Sequence, residues 1–207
     1  MGSEMCIRDS TGCVCWIVTW DDHEFDNNYA GAISEEPDVD VEKFLARRAA
    51  AYQAYYEHMP LRRSTLPHGP MMQLYRNVTY GRLVQFSVLD TRQHRTDQPC
   101  GDRNKPPCDG VFDPNATLLG KIQEKWLCDG LAASPARWNV LAQQVMMADN
   151  PFVKFYNAER GYVRCTVTPK QWQSDFRVVP IVSKPKSPCL TRASFVVEDG
   201  QPGAERV

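Results

Sequence analysis

"TWDDHEFDNN", residues 19–28, sets four carboxylates, one histidine and two asparagines directly behind the apolar run of residues 14–20. Carboxylates this close repel one another, and each costs free energy to desolvate unless something positive sits among them. A multivalent cation meets both demands; a solvated acidic turn is the alternative. The order of residues favours a site. Trp20 ends the apolar run, so the run reads as a buried strand, and the first polar side chains after it stand at the strand's carboxyl end, where open α/β sheets place their ligands.

The chain has 207 residues, 43% of them hydrophobic and 24% charged, which is the composition of one folding domain rather than of a disordered chain. Its net charge is −1, with basic and acidic residues interleaved, so charge selects neither a nucleic-acid nor an anionic-membrane surface. No run approaches the roughly 18 apolar residues of a membrane span. The start, "MGSEMCIRDS", lacks the order of an export signal, and residues 5–10 look like the in-frame translation of the transposon end used in preparing sequencing libraries. Residues 1–12 are therefore read as a non-native or disordered leader, and 13–207 as the domain.

Of eight cysteines, Cys13, Cys15, Cys128, Cys165 and Cys189 stand in apolar or isolated settings and read as small buried hydrophobes. Cys100 and Cys108 bracket the loop "QPCGDRNKPPCDG". Two readings stay open there, a disulfide if the protein matures in an oxidising compartment, or two free thiols. Four-ligand zinc spacing is absent.

Strands and helices alternate along the rest. Residues 14–20 read as a strand. A helix follows over about 41–58, with Val41, Phe44, Leu45, Ala49, Tyr52 and Tyr55 at helical spacing, Asp40 as N-cap, Pro60 beyond the end, and Arg47 and Arg48 on the wet face. Residues 71–76 and 82–89 flank "NVTYG" and suggest a hairpin. A second helix reads over 117–133 with Leu118, Leu119, Ile122, Trp126 and Leu127 inward, then a buried strand over 138–147. After Pro151, runs at 161–168, 176–183 and 193–198 between Pro/Gly/Ser turns read as antiparallel sheet. Asn77 and Asn115 begin formal glycosylation sequons, a weak pattern by itself.

Asp90, Arg92, His94 and Arg95 gather after the hairpin's second strand. They read either as a surface turn with an internal Asp–Arg pair, or as a place where Arg92 contacts an oxyanion or supports a group that does.

Taken together, "TWDDHEFDNNYAG", "FLARRAAAYQAYYEHMPLR", "LDTRQHRTDQPC", "EKWLCDGLAAS", "ARWNVLAQQVMM" and "RGYVRCTVTP" resemble consecutive segments of the alkaline phosphatase D (PhoD-like) family of metallophosphoesterases. The resemblance implies an α/β class, with a partial four-layer α+β sandwich and a β-rich C-terminal segment. It also implies a calcium- and iron-dependent phosphatase or phosphodiesterase acting on phosphate esters outside the cytoplasm. By the same resemblance Asp22 is a metal ligand and His23 meets the scissile phosphate or protonates the leaving oxygen, beside Glu24. Asp21, Asp26, Asn27 and Asn28 are further ligand candidates, and Arg92 joins His23 on the catalytic side. Hard oxygen donors suit calcium and ferric iron. His58, His68 and His94 read as structural.

The chain departs from the family pattern. Family segments that bear a cysteine ligand and a Gly-Asp strand end would precede residue 13, and a Gly-Asp-Val-His segment is missing beyond "QQVMMA", which places an internal join near Asp149. Two functions therefore stand: a fragment of a metal-dependent phosphoesterase, inactive alone, or a non-catalytic remnant that binds a cation weakly. No oligomeric state is legible.

Overall fold

The computed structural model describes residues 15–101, 106, 108–145, 153–183 and 186–207. The leader and the join near Asp149 lie outside the described residues. The chain divides into two compact units, Met1–Val145 and Met146–Val207.

In the first unit the long helix α1 spans Val41–His58, with the Asp40 carboxylate accepting from the Lys43 N–H at 2.9 Å as N-cap. Its inward face carries Phe44, Arg48 and Tyr52, while Val41 points to solvent. Arg48 corrects the sequence reading. Its stem lies in the core, its guanidinium donates to the carbonyls of Gly31 and Pro70, and it sits 5.6 Å from the Tyr52 ring centroid. An arginine tolerates burial when loop carbonyls meet its fork of donors.

Of the strand expected over 14–20, residues 15–20 run past this helix without a ladder. Val18 and Trp20 are buried, and side-chain donors bind the segment instead: Arg76 Nη2 to the Val18 carbonyl, and Thr19 Oγ1 to the Leu89 carbonyl, both at 2.8 Å. Trp20 stacks on Tyr52 with centroids 4.2 Å apart, and Met72 and Leu74 complete that core.

The hairpin exists, with shifted bounds. "NVTY" is not its turn but most of β1, Arg76–Tyr80, which pairs antiparallel with β2, Val84–Val88; Gly81, at φ +54, opens the turn. β3, Trp138–Ala142, lies parallel to β2, so the chain between them makes a crossover that includes α2, Gly120–Ala132. β3 is only half-buried, with Leu141 exposed. On α2, Leu127 is buried as expected, but Ile122 faces solvent and Gln123 is inside; Leu118, ahead of the helix, is exposed as well.

Cys100 and Cys108 form a disulfide, Cα–Cα 5.7 Å. Cys15, Cys128 and Cys165 are exposed and Cys189 is half-buried, against the expectation of a hydrophobic interior role.

The second unit is one antiparallel sheet in the order β4-β5-β6-β7: Gly161–Val167, Gln171–Val178, Leu190–Glu198 and Glu205–Arg206. Phe155, Phe176 and Phe195 pack with centroids 4.9 to 5.9 Å apart. Gly161 is required by close approach, since a Cβ there would stand 1.9 Å from the Arg177 carbonyl. The two units together make a mixed α/β fold with a β-rich C-terminal part. No helix among the described residues is long and apolar enough to cross a membrane.

Candidate functional site

The acidic stretch folds as a tight turn with an apolar back. Phe25 packs edge-on against Phe44 of α1 and against Tyr29, which pins the turn to the helix. The Asp22 carbonyl accepts from the Phe25 and Asp26 N–H groups at 3.0 and 2.9 Å, and its carboxylate accepts from the Asn28 N–H at 3.0 Å. Asn28 has φ +50, a left-handed value that asparagine tolerates. Glu24 turns back to accept from the Asp21 N–H at 2.9 Å.

Asp22 is 6% exposed. Burial works to raise its pKa, but the Asn28 N–H and the Arg92 guanidinium outweigh burial and hold the carboxyl below the ordinary value. It is therefore ionised at neutral pH.

The segment after β2 is not a surface turn. Asp90 and Thr91 are fully buried, with Arg92 and Gln93 nearly so. Asp90 organises the segment. Its Oδ1 accepts from the Trp20 indole and from the backbone N–H groups of Arg92 and Gln93 at 2.9 to 3.0 Å, and its Oδ2 accepts from Gln93 Nε2 at 3.1 Å. From α2, Gln123 pairs with the Asp90 backbone on both sides, accepting from N–H at 2.9 Å and donating to C=O at 2.8 Å. Because Trp20 precedes Asp21 directly, one buried carboxylate sets the acidic turn and the arginine segment against each other.

Arg92 crosses between them. Its Nε and Nη2 donate to Asp21 Oδ1 at 2.9 and 2.7 Å, and Nη2 lies 3.6 Å from Asp22 Oδ1. Its side chain is 9% exposed, and Nη1 is buried without a hydrogen-bond partner among the described residues. Arg95 belongs to the same electrostatic neighbourhood: burial and then Arg92 lower its pKa, against Asp97, Asp21 and Asp22.

The structure thus brings Asp21, Asp22 and Arg92 together, with His23 exposed on the same turn. The other candidates have separate partners. Asp26 pairs with Arg47 and accepts from Ser34 at 2.8 Å, while the Asn27 and Asn28 amides donate to Glu35. Glu35 and Gln123 are the organising residues that sequence reasoning did not single out. Gln123 had a signal, since it falls between Leu119 and Leu127 on the inward stripe of α2. His94 lies 4.0 Å from Asp90 and edge-on to Tyr75, in keeping with a structural role.

As a metal centre the described residues do not fit. The candidate carboxylates are taken up by arginines, backbone N–H groups and a serine, and no group of three or more His, Cys, Asp or Glu among the described residues is disposed to hold an ion. A cavity of about 480 Å³, lined by residues including Trp16, Ile17, Pro60, Arg62, Arg76 and Phe86, includes none of the site residues.

Comparison with known proteins bears on this geometry. The profile of the family described as PhoD-like phosphatase matches residues 3–151. Alkaline phosphatase D of Bacillus subtilis (strain 168) is 41% identical over 285 residues, a match that covers 93% of this chain and 49% of the relative. A solved structure described as "Structure of PhoD" superposes with a TM-score of 0.85 at 40% identity, covering 93% of this chain and 54% of that one. The chain spans about half the length of the relatives it matches, and the 285-residue match is longer than the 207 residues available, so it opens gaps in this chain.

Proposed function

This chain belongs to the PhoD-like phosphatase family, and from that membership we propose that it carries the phosphate-facing part of a metal-dependent phosphoesterase site. The observation that carries the reading is the buried Nη1 of Arg92, which has no hydrogen-bond partner among the described residues. Leaving such a donor unmade costs about 1–3 kcal/mol. A phosphoryl oxygen is the acceptor whose geometry and charge suit a guanidinium.

In this reading Arg92 orients the phosphate ester of a monoester or diester substrate. His23, exposed on the turn beside ionised Asp22, donates a proton to the departing alkoxide oxygen. Metal ions, if bound in the complete enzyme, would supply Lewis acidity and an activated water. Calcium and iron are the expected ions, and their ligands would have to come largely from outside the residues described here. The Cys100–Cys108 disulfide accords with maturation outside the cytoplasm. We propose as well that an internal join lies near Asp149. The unit boundary at Val145/Met146, the end of the family match at residue 151 and the excess length of the relative's match all support it.

The test is hydrolysis of p-nitrophenyl phosphate by a chain in which the segments present in the relatives are restored. Turnover is expected and should fall by about a hundredfold or more in His23→Ala and in Arg92→Ala. Activity indifferent to both substitutions refutes the assignment.

A further inference from the structure

We infer that Arg92 is the resident counter-cation of the acidic turn: its guanidinium lies where a metal ion would have to meet Asp21 and Asp22, so that the turn folds without metal and a divalent cation reaches this carboxylate pair only by displacing Arg92. The inference stands on the pairing geometry and does not require the chain to be a phosphoesterase.

Charge accounting around the turn supports it. Asp21 takes two donors of Arg92 on one oxygen, and Asp22 stands within ion-pair distance of the same guanidinium. Asp26 is neutralised by Arg47, and Arg95 adds further positive charge in the neighbourhood. Asp21, Asp22 and Asp26 thus each have an arginine beside them, while Glu24 and Glu35 accept from the Asp21 N–H and from the Asn27 and Asn28 amides. Arg92 is also not a surface side chain that swings aside at little cost. Its backbone N–H is held by the buried Asp90, and its side chain is 9% exposed.

The pairing leaves Nη1 buried and without a partner among the described residues. Nε and Nη2 are committed to Asp21, as expected where two adjacent carboxylates require a positive charge. Removing the guanidinium uncovers both carboxylates at once. Beyond what Arg95 and the Asn28 N–H already supply, a bound cation then relieves their repulsion most directly, short of protonation.

The experiment uses the purified 207-residue chain with calcium, and with terbium as a luminescent analogue sensitised by Trp20, which adjoins Asp21. Wild type is expected to bind neither ion appreciably below millimolar concentration, and its melting temperature should be the same in calcium and in chelator. Arg92→Gln should bind calcium at least about tenfold tighter and melt higher in calcium than in chelator. Arg92→Gln/Asp22→Asn should lose that gain. If Arg92→Gln is unfolded in chelator, calcium is expected to restore its fold, and a variant that stays unfolded in calcium overturns the inference. So does wild type that binds calcium as tightly as Arg92→Gln, or a gain that survives the loss of Asp22.

Discussion

Arg47 and Arg48 are neighbours in sequence with opposite fates. Arg47 is 55% exposed and reaches across to Asp26 and the Phe25 ring, whereas Arg48 is 4% exposed and ties α1 to Gly31 and Pro70. Hydrogen bonds from a buried charged donor contribute about 1.5–3 kcal/mol, and exposed ion pairs mostly less than about 1. Arg48→Met is therefore expected to lower the unfolding free energy by about 2–3 kcal/mol, and Arg47→Met by under about 1, in urea titrations at neutral pH. Equal losses would show that the two carbonyl contacts contribute nothing special. A helical stripe read from apolar spacing cannot distinguish these two arginines, because the carbonyls that accept from Arg48 belong to loops far along the chain. The same limit applies to Asp21 and Asp22. Their need for a positive partner was legible from their crowding, but that an arginine seventy positions away supplies it was visible only as a second, unassigned cluster after β2.

Local pattern and cap chemistry were enough where an element depends on its own residues. The bounds of α1 follow from Asp40, the apolar spacing and Pro60, and the antiparallel character of the second unit follows from short β-branched runs between turn residues. Where a neighbouring element decides, the reading failed. Ile122 was expected inside α2 and is 81% exposed, while Gln123 is buried because the Asp90 backbone needs a two-sided partner. In the second sheet, Asp175 on β5 joins three strands: Gln173 and Ser194 donate to Oδ1 at 2.8 Å, and Arg164 on β4 donates to Oδ2 at 2.7 Å. These bonds, from Gln173 first and then Arg164 and Ser194, hold its pKa down at about 2. A depressed carboxylate stabilises the fold in full above its unfolded value, near pH 3.9, and that contribution is lost as pH falls toward the folded value. Asp175→Asn should accordingly melt below wild type at about pH 6, and the gap should narrow steadily between about pH 4 and pH 2. A gap that is constant across that range, followed by circular dichroism of the sheet, would contradict the assigned role.

Phosphoryl transfer demands more of a chain than either unit supplies by itself. The nucleophile, the ions and the leaving-group donor must be held together, and a displacement of about 1 Å already costs roughly a hundredfold in rate. What is described of this chain brings Asp21, Asp22 and Arg92 together, with His23 exposed on the same turn, but assembles no cluster of three metal-ligating side chains, and Asp21, Asp22 and Asp26 have arginines beside them. The 285-residue match is about half of the curated relative, which is therefore well over twice as long as this 207-residue chain, room enough for the ligand-bearing segments that the family resemblance calls for. The 207-residue chain is therefore expected to hydrolyse neither p-nitrophenyl phosphate nor bis-p-nitrophenyl phosphate above a metal-only blank, with calcium and ferric iron supplied. If it instead shows a calcium-dependent rate that His23→Ala abolishes, then the ions reach the turn despite Arg92 and a smaller site suffices. A rate that persists in His23→Ala would point instead to a contaminating phosphatase, which denaturing and refolding the same sample would separate from the chain's own activity.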